Sequence, residues 1–188
     1  MTDSALLESY LKQLRLPTFI QNYARFAQDA TQNHLDFTHY LLALAEQEVN
    51  QRDQNQRQRR IKAARFPVLK ELAEFDFSAI PSLNKSSVLD LARGAYLLKR
   101  ETVIFIGHPG LGKTHLATAL ALQACRQGHK VRFWTAAGLV NELLVAQDAH
   151  QLHRFIAAAL KLRLVVIDEL GFIPFSPAGA QALFTFCS

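Results

Sequence analysis

The chemistry of this chain concentrates in the stretch GHPGLGKTH, Gly107 to His115. Gly107, Gly112, Lys113 and Thr114 satisfy G-x-x-x-x-G-K-[ST] at every fixed position, with an apolar run before them and a helical pattern after. Each residue type has a physical reason. Glycines let the backbone turn tightly enough to aim several N–H groups at phosphate oxygens, and the positive end of the following helix adds to that field. Lys113 is then placed to reach the outer phosphates, and the Thr114 hydroxyl to hold Mg²⁺. By residue frequencies the four fixed letters arise by chance in on the order of 1% of chains this long, so a phosphate cradle is the better reading than an accidental turn. The order of the glycines, with Lys-Thr behind them, is not the dinucleotide fingerprint. The expected ATP contacts are Gly107, His108, Pro109, Gly110, Leu111, Gly112, Lys113, Thr114 and His115. The two histidines fall where the motif leaves the residue open and are read as incidental to the chemistry.

Such a cradle needs an acidic residue at the end of a buried strand, and LVVIDE supplies one. Alone, two acids after an apolar run are usually a solvated strand end. Paired with the glycine loop, Asp168 is expected to hold Mg²⁺ with Thr114, and Glu169 to polarise an attacking water. Glu169 and Lys113 are the catalytic candidates.

Those residues must be carried by alternating elements. The pattern predicts a helix near Lys85 to Lys99, strand Val103 to Ile106, a helix from Lys113 to about Gln127 and strand Val131 to Thr135. Two helices between Ala136 and Lys161, strand Leu164 to Asp168 and a helix from Pro177 follow. This alternation implies an α/β fold, a parallel sheet with flanking helices. Ahead of it lies a helical module. Leu6, Leu7, Tyr10, Leu11 and Leu14 recur at helical spacing until Pro17. Thr18 and Gln21 have capping-box spacing for a second helix. A third helix begins at about Asp36, with Phe37, Tyr40, Leu41, Leu44 and Val49 expected to face inward. Turn residues around Pro67 and Pro81 mark a boundary, which gives a helical module at 1–65, a linker at 66–80 and a partial ATPase domain at 81–188.

With 49% of its 188 residues hydrophobic and 20% charged, the chain has enough apolar material for one or two packed cores. No apolar run approaches the roughly 18 residues of a membrane span, and Asp3 stands where a secretory signal would be basic. No membrane association and a cytoplasmic location are therefore expected. Cys125 and Cys187 have no metal-type spacing and are read as free thiols. His150 and His153 lie three apart, without a Cys or acid spaced to complete a metal set. Trp134 follows strand alternation and is read as packing. GFIPF, after the acidic pair, reads as core, with a partner-facing loop as the alternative.

The net charge of +5 is unevenly spread. Arg52, Arg57, Arg59, Arg60, Lys62, Arg65 and Lys70 face only Asp53 between Asn50 and Lys70. A polyanion is the natural partner of such a stripe, and a solvated helix face is the alternative. Arg52, Arg57, Arg59, Arg60, Lys62 and Arg65 are the DNA-binding candidates. Without interleaved aromatics or a helix-turn-helix pattern, contact with phosphates is expected to be indifferent to sequence.

VIFIGHPGLGKTHLATALALQACRQGHKVRFWTAAGLVNELL and LRLVVIDELGFIPFSPAGAQALF together resemble the IstB-type ATPases of insertion sequences and their relatives, the DnaC-type helicase loaders, within the AAA+ class of P-loop NTPases. TAAGLVNELL and DELGFIPFS favour the IstB side, and the resemblance covers nearly the whole chain. It implies an ATP-dependent helper of transposition that assembles as a homo-oligomer on double-stranded DNA and works with the transposase of its element. On matching positions it assigns phosphate contacts to Gly110, Gly112, Lys113 and Thr114, the Mg²⁺ carboxylate to Asp168 and the catalytic carboxylate to Glu169. Relatives continue past ALFTFCS with a strand that inserts between VIFI and LVVID, and with an arginine that acts on a neighbour's ATP. A chain truncated before them is expected to have disturbed Mg²⁺ geometry and weak or no ATPase activity alone. A non-catalytic DNA-binding or assembly remnant and a DnaC-like loader are the alternatives.

Overall fold

The computed structural model describes residues 3–171 and 174–188, so Phe172 and Ile173 of the GFIPF stretch lie outside the described residues. Contacts divide the chain into two compact units, Met1–Gln58 and Arg59–Ser188.

The first unit contains α1 (Asp3–Gln13), α2 (Pro17–Gln32) and most of α3 (Phe37–Ala64). Pro17 opens α2, where its missing N–H removes nothing and its fixed φ suits the helix. That shifts the cap. Leu16, not Thr18, is the N-cap, so the expected capping box is not formed. Thr18 lies inside the first turn, and its backbone N–H donates to the Glu48 carboxylate of α3 at 3.0 Å. Glu48, only 4% exposed, also accepts from Arg52 Nε at 2.6 Å, and Arg52 Nη2 donates to the Arg15 carbonyl at 2.6 Å. A polar pin thus ties α3 to the start of α2 and to the turn between α1 and α2. Of the α3 residues expected to face inward, Leu44 is buried and Tyr40 half-buried, while Phe37, Leu41 and Val49 are exposed. The single-helix pattern overstated the inward face because two short partners cannot cover it.

The second unit is α/β. Strands β1 (Val131–Thr135) and β2 (Leu164–Asp168) pair in parallel, from Val131 opposite Leu164 to Thr135 opposite Asp168. Alternate residues serve opposite faces, as the pleat requires. Val131, Leu164 and Val166 pack with Ala64 of α3, Tyr96 and Leu97, and Ala121, Ala124 and Cys125. Trp134, Val165 and Ile167 pack instead with Leu139, Val140 and Leu143 of α7 (Ala136–Asp148), Phe155 of α8 (Leu152–Ala159) and Leu183 of α9 (Pro177–Cys187). A sheet covered on both faces is the expected arrangement for parallel strands. Trp134 is packing, as expected, against the rings of Phe155 and Phe186.

Two expected elements differ. The helix expected over Lys85 to Lys99 is two, α4 (Lys85–Ala92) and α5 (Ala95–Lys99), divided at Gly94 with φ +82°. That left-handed φ strains any residue with a Cβ, so glycine suits the corner. Val103 to Ile106, expected as a strand, has the in-out alternation but no ladder among the described residues. Val103 and Phe105 are half-buried, whereas Ile104 and Ile106 are 74% and 92% exposed. Alternation orients side chains, but a strand also needs a neighbour's N–H and C=O groups. No described helix is long and apolar enough to cross a membrane.

Candidate functional site

The glycine loop feeds directly into α6 (Lys113–Arg126). Gly110 and Gly112 have φ of +82° and +74°, conformations open to glycine at little cost. Gly112 is the N-cap of α6, and no side chain caps its first amides, leaving those donors for an anion. Lys113 folds back over the loop, its Nζ donating to the carbonyls of Gly107 at 2.9 Å and His108 at 2.7 Å. His108, Pro109, Gly110 and Leu111 line the exposed outer side of the turn.

The two halves of the motif meet. Thr114 Oγ1 donates to Asp168 Oδ2 at 2.8 Å, joining the start of α6 to the end of β2. The Val103 to Ile106 segment is unpaired among the described residues, and the hydroxyl and carboxylate are in contact. Glu169 follows, exposed, with φ +59°. Five other non-glycine residues share a positive φ: Arg15, His34, Arg65, Arg100 and His150. Each of those comes just after a helix, where a left-handed cap is ordinary. Glu169 alone among them follows a strand, at the carboxyl end of a parallel sheet where α/β folds place ligands.

Three supporting residues were invisible in the sequence. Glu71, from the segment expected as a linker, makes a two-bond ion pair with Arg126 at the far end of α6, one of its bonds measuring 2.7 Å. The Glu71 carbonyl accepts from His115 Nε2 at 2.8 Å. The Phe75 ring sits edge-on to the His115 imidazole, centroids 5.3 Å apart, and so close to Gly112 that a Cβ there would lie 2.7 Å from Phe75 Cε2. His115 is thus structural support for the loop. These partners lie far apart in the chain, so no local spacing announces them. The C-terminal end of α6 is held further by Arg60 Nε donating to the Cys125 carbonyl at 2.9 Å, and by Gln127 donating to Ala92 at 2.9 Å. Burial pushes the Cys125 thiol up to about 11.

The basic candidates separate by employment. In the first unit Arg52 is engaged with Glu48 and Arg15, while Arg57 is exposed. In the second, Arg60 is engaged with Cys125, while Arg59, Lys62 and Arg65 are exposed. Among the described residues, Arg57, Arg59, Lys62 and Arg65 have no side-chain hydrogen bond or ion pair. Likewise no described trio of His, Cys, Asp or Glu is placed to hold a metal.

A family model described as IstB-like ATP binding protein matches residues 9–188. The chain is 30% identical over 178 residues to a protein named for ATP binding in insertion sequence IS5376 of Geobacillus stearothermophilus, covering 95% of this chain and 71% of that one. It is 33% identical over 178 residues to the corresponding protein named in insertion sequence IS21 of Pseudomonas aeruginosa, covering 95% and 67%. A third similarity, 32% over 178 residues, is to the protein so named in insertion sequence IS232 of Bacillus thuringiensis subsp. berliner, covering 95% and 71%.

Proposed function

The chain belongs to the IstB-like ATP-binding protein family, with its AAA+-like α/β fold, and on that premise we propose that it binds ATP and Mg²⁺ in the Gly107 to Thr114 loop as a cytoplasmic helper of DNA transposition. Its partners in this reading are double-stranded DNA, the transposase of its element and further copies of the chain. The observation that carries the ATP half is the 2.8 Å Thr114–Asp168 contact, which sets a hydroxyl and a carboxylate side by side next to uncapped amides. That donor set is all oxygen, as Mg²⁺ prefers. When bound, the ion neutralises charge on the phosphate oxygens.

The residues act as follows. The first amides of α6 and the loop receive the phosphates, and Gly110 and Gly112 keep those amides pointed outward. Lys113 Nζ exchanges its two loop carbonyls for phosphate oxygens, since a charge-assisted bond to an anion outweighs bonds to neutral carbonyls. Thr114 and Asp168 would hold the ion. Glu169, exposed beside Asp168, would take a proton from a water attacking the γ-phosphorus as the bond to the bridging oxygen breaks and ADP departs. Arg57, Arg59, Lys62 and Arg65, unengaged by the fold, contact DNA phosphates without reading bases. Arg52 and Arg60 support those helices instead.

A fluorescent ATP analogue titrated with Mg²⁺ tests the first half. Binding by the natural chain that Lys113→Ala abolishes is the expected result. Equal binding by the variant overturns the assignment of the loop.

A further inference from the structure

We infer that the nucleic-acid surface extends beyond α3 onto the amino end of the parallel sheet, where Lys130 and Arg163 form a second contact for a phosphodiester backbone. This rests on the DNA-binding reading above. Both strands begin at the same end because they are parallel, and the register sets Val131 opposite Leu164. Lys130 and Arg163, one residue earlier in each strand, are therefore side by side, and the Lys130 carbonyl accepts from the Arg163 N–H at 2.8 Å. Neighbouring strands lie about 4.8 Å apart. Both residues are exposed, His129 precedes them half-buried, and Lys161 is exposed two residues before Arg163.

Adjacent like charges across a strand pair are destabilising in themselves. Among the described residues no acid pairs with Lys130, Arg163 or Lys161, so the fold leaves that repulsion uncompensated. A neighbouring cation is treated differently: Arg126, at the end of α6, is neutralised by Glu71. The contrast separates a paired surface cation from cations left unpaired.

The patch continues the basic end of α3. Ala64 packs in one cluster with Val131 and Cys125, and Arg132 Nη1 donates to the Ala63 carbonyl at 3.3 Å. The end of α3 thus packs near the start of β1, with Lys62 two residues before Ala64 and Arg65 one after it. Asp168 is at the opposite end of β2, four residues or roughly 13 Å from Leu164, so DNA on this patch leaves the carboxyl end of the sheet open. Flexible cations suit a repeating phosphate chain, which offers charge rather than a pattern of base edges.

The test is fluorescence anisotropy of a labelled mixed-sequence duplex across a KCl series, using the whole chain and a Lys130→Ala/Arg163→Ala variant. The expected result is roughly tenfold weaker binding and a salt slope shallower by about 2, one per lost phosphate contact, with binding of the ATP analogue unchanged. Unchanged affinity and slope in the variant, while Arg59→Ala/Lys62→Ala weakens binding, overturn this extension but leave the DNA reading standing. No duplex binding by the natural chain overturns both. A Lys130→Arg/Arg163→Lys variant that retains natural binding supports charge, rather than folding, as the cause.

Discussion

The two units solve the same problem with different materials. In Arg59–Ser188 the sheet carries an apolar cluster on each face, and Leu139, Leu143, Ala121 and Cys125 have no exposure at all. In Met1–Gln58 the buried set is Leu11, Thr18, Ala30, Leu44 and Glu48, two of them polar, with Leu6, Leu7, Tyr10, Leu41 and Val49 at the surface. Hydrophobic burial scales with area and tolerates small errors in angle, whereas a buried carboxylate holds only while its donors are in place. The second unit is accordingly built to keep a loop in position. The first adds a buried ionised group to a small apolar core.

The largest way to break this contrast is Leu143→Ala, at a site with no exposure between α7 and the sheet. Removing those methyl groups should cost about 2 to 5 kcal/mol, read as a lower thermal transition by circular dichroism. A loss of under about 1 kcal/mol would mean that the second cluster is loosely packed. Next is Gly112→Ala, which adds a Cβ against Phe75 at φ +74°. The left-handed conformation alone costs a non-glycine residue about 1 to 2 kcal/mol, and displacement of the loop should weaken the ATP analogue about tenfold or more, with the fold retained. Natural affinity in that variant would remove Phe75 from the support of the loop.

A finer test addresses the polar pin. Burial pushes the Glu48 carboxyl up, but the bonds from Arg52 and Thr18 outweigh it and hold the group below its ordinary value of 4.5. The unfolded chain therefore binds the proton more readily than the folded one. The pin's stabilisation is full above the unfolded value and is lost as pH falls through the lower folded one. Glu48→Gln should cost about 1 to 2 kcal/mol at neutral pH, and the gap between variant and natural chain should close under acid conditions. A pH-independent gap would show that the charge of Glu48 is immaterial. The smallest expected effect is chemical. Alkylation at neutral pH should modify the exposed Cys187 well before Cys125, whose thiol burial holds at about 11, with mass spectrometry reporting the order.

The same contrast explains what was legible. Strands Val131–Thr135 and Leu164–Asp168, and the start of α9 at Pro177, match their expected bounds because short apolar runs between polar turns are local signals. The turn at Gly110 and Gly112 was legible because those glycines answer a backbone requirement, both having positive φ. Val103 to Ile106 shows the limit, since its alternation was visible while its ladder depends on another segment. Thr18 and Gln21 had the spacing of a cap, yet Pro17 starts the helix earlier and Glu48 takes the amide, thirty residues away. The expected linker contains Glu71 and Phe75, which act on α6 through contacts that no window of sequence contains.

The ties among Glu71, Phe75, His115 and Arg126 also bear on the history of the chain. Arg126 and Glu71 satisfy each other at the surface, so a substitution at one hands the other's charge to solvent at little cost. Those two positions can therefore change one at a time. Phe75 is bound to position 112 more tightly, because the ring fills the space that the absent Cβ leaves. A lineage that shrinks residue 75 would relieve that crowding without freeing position 112 from its left-handed turn, making glycine there the slower of the two to change.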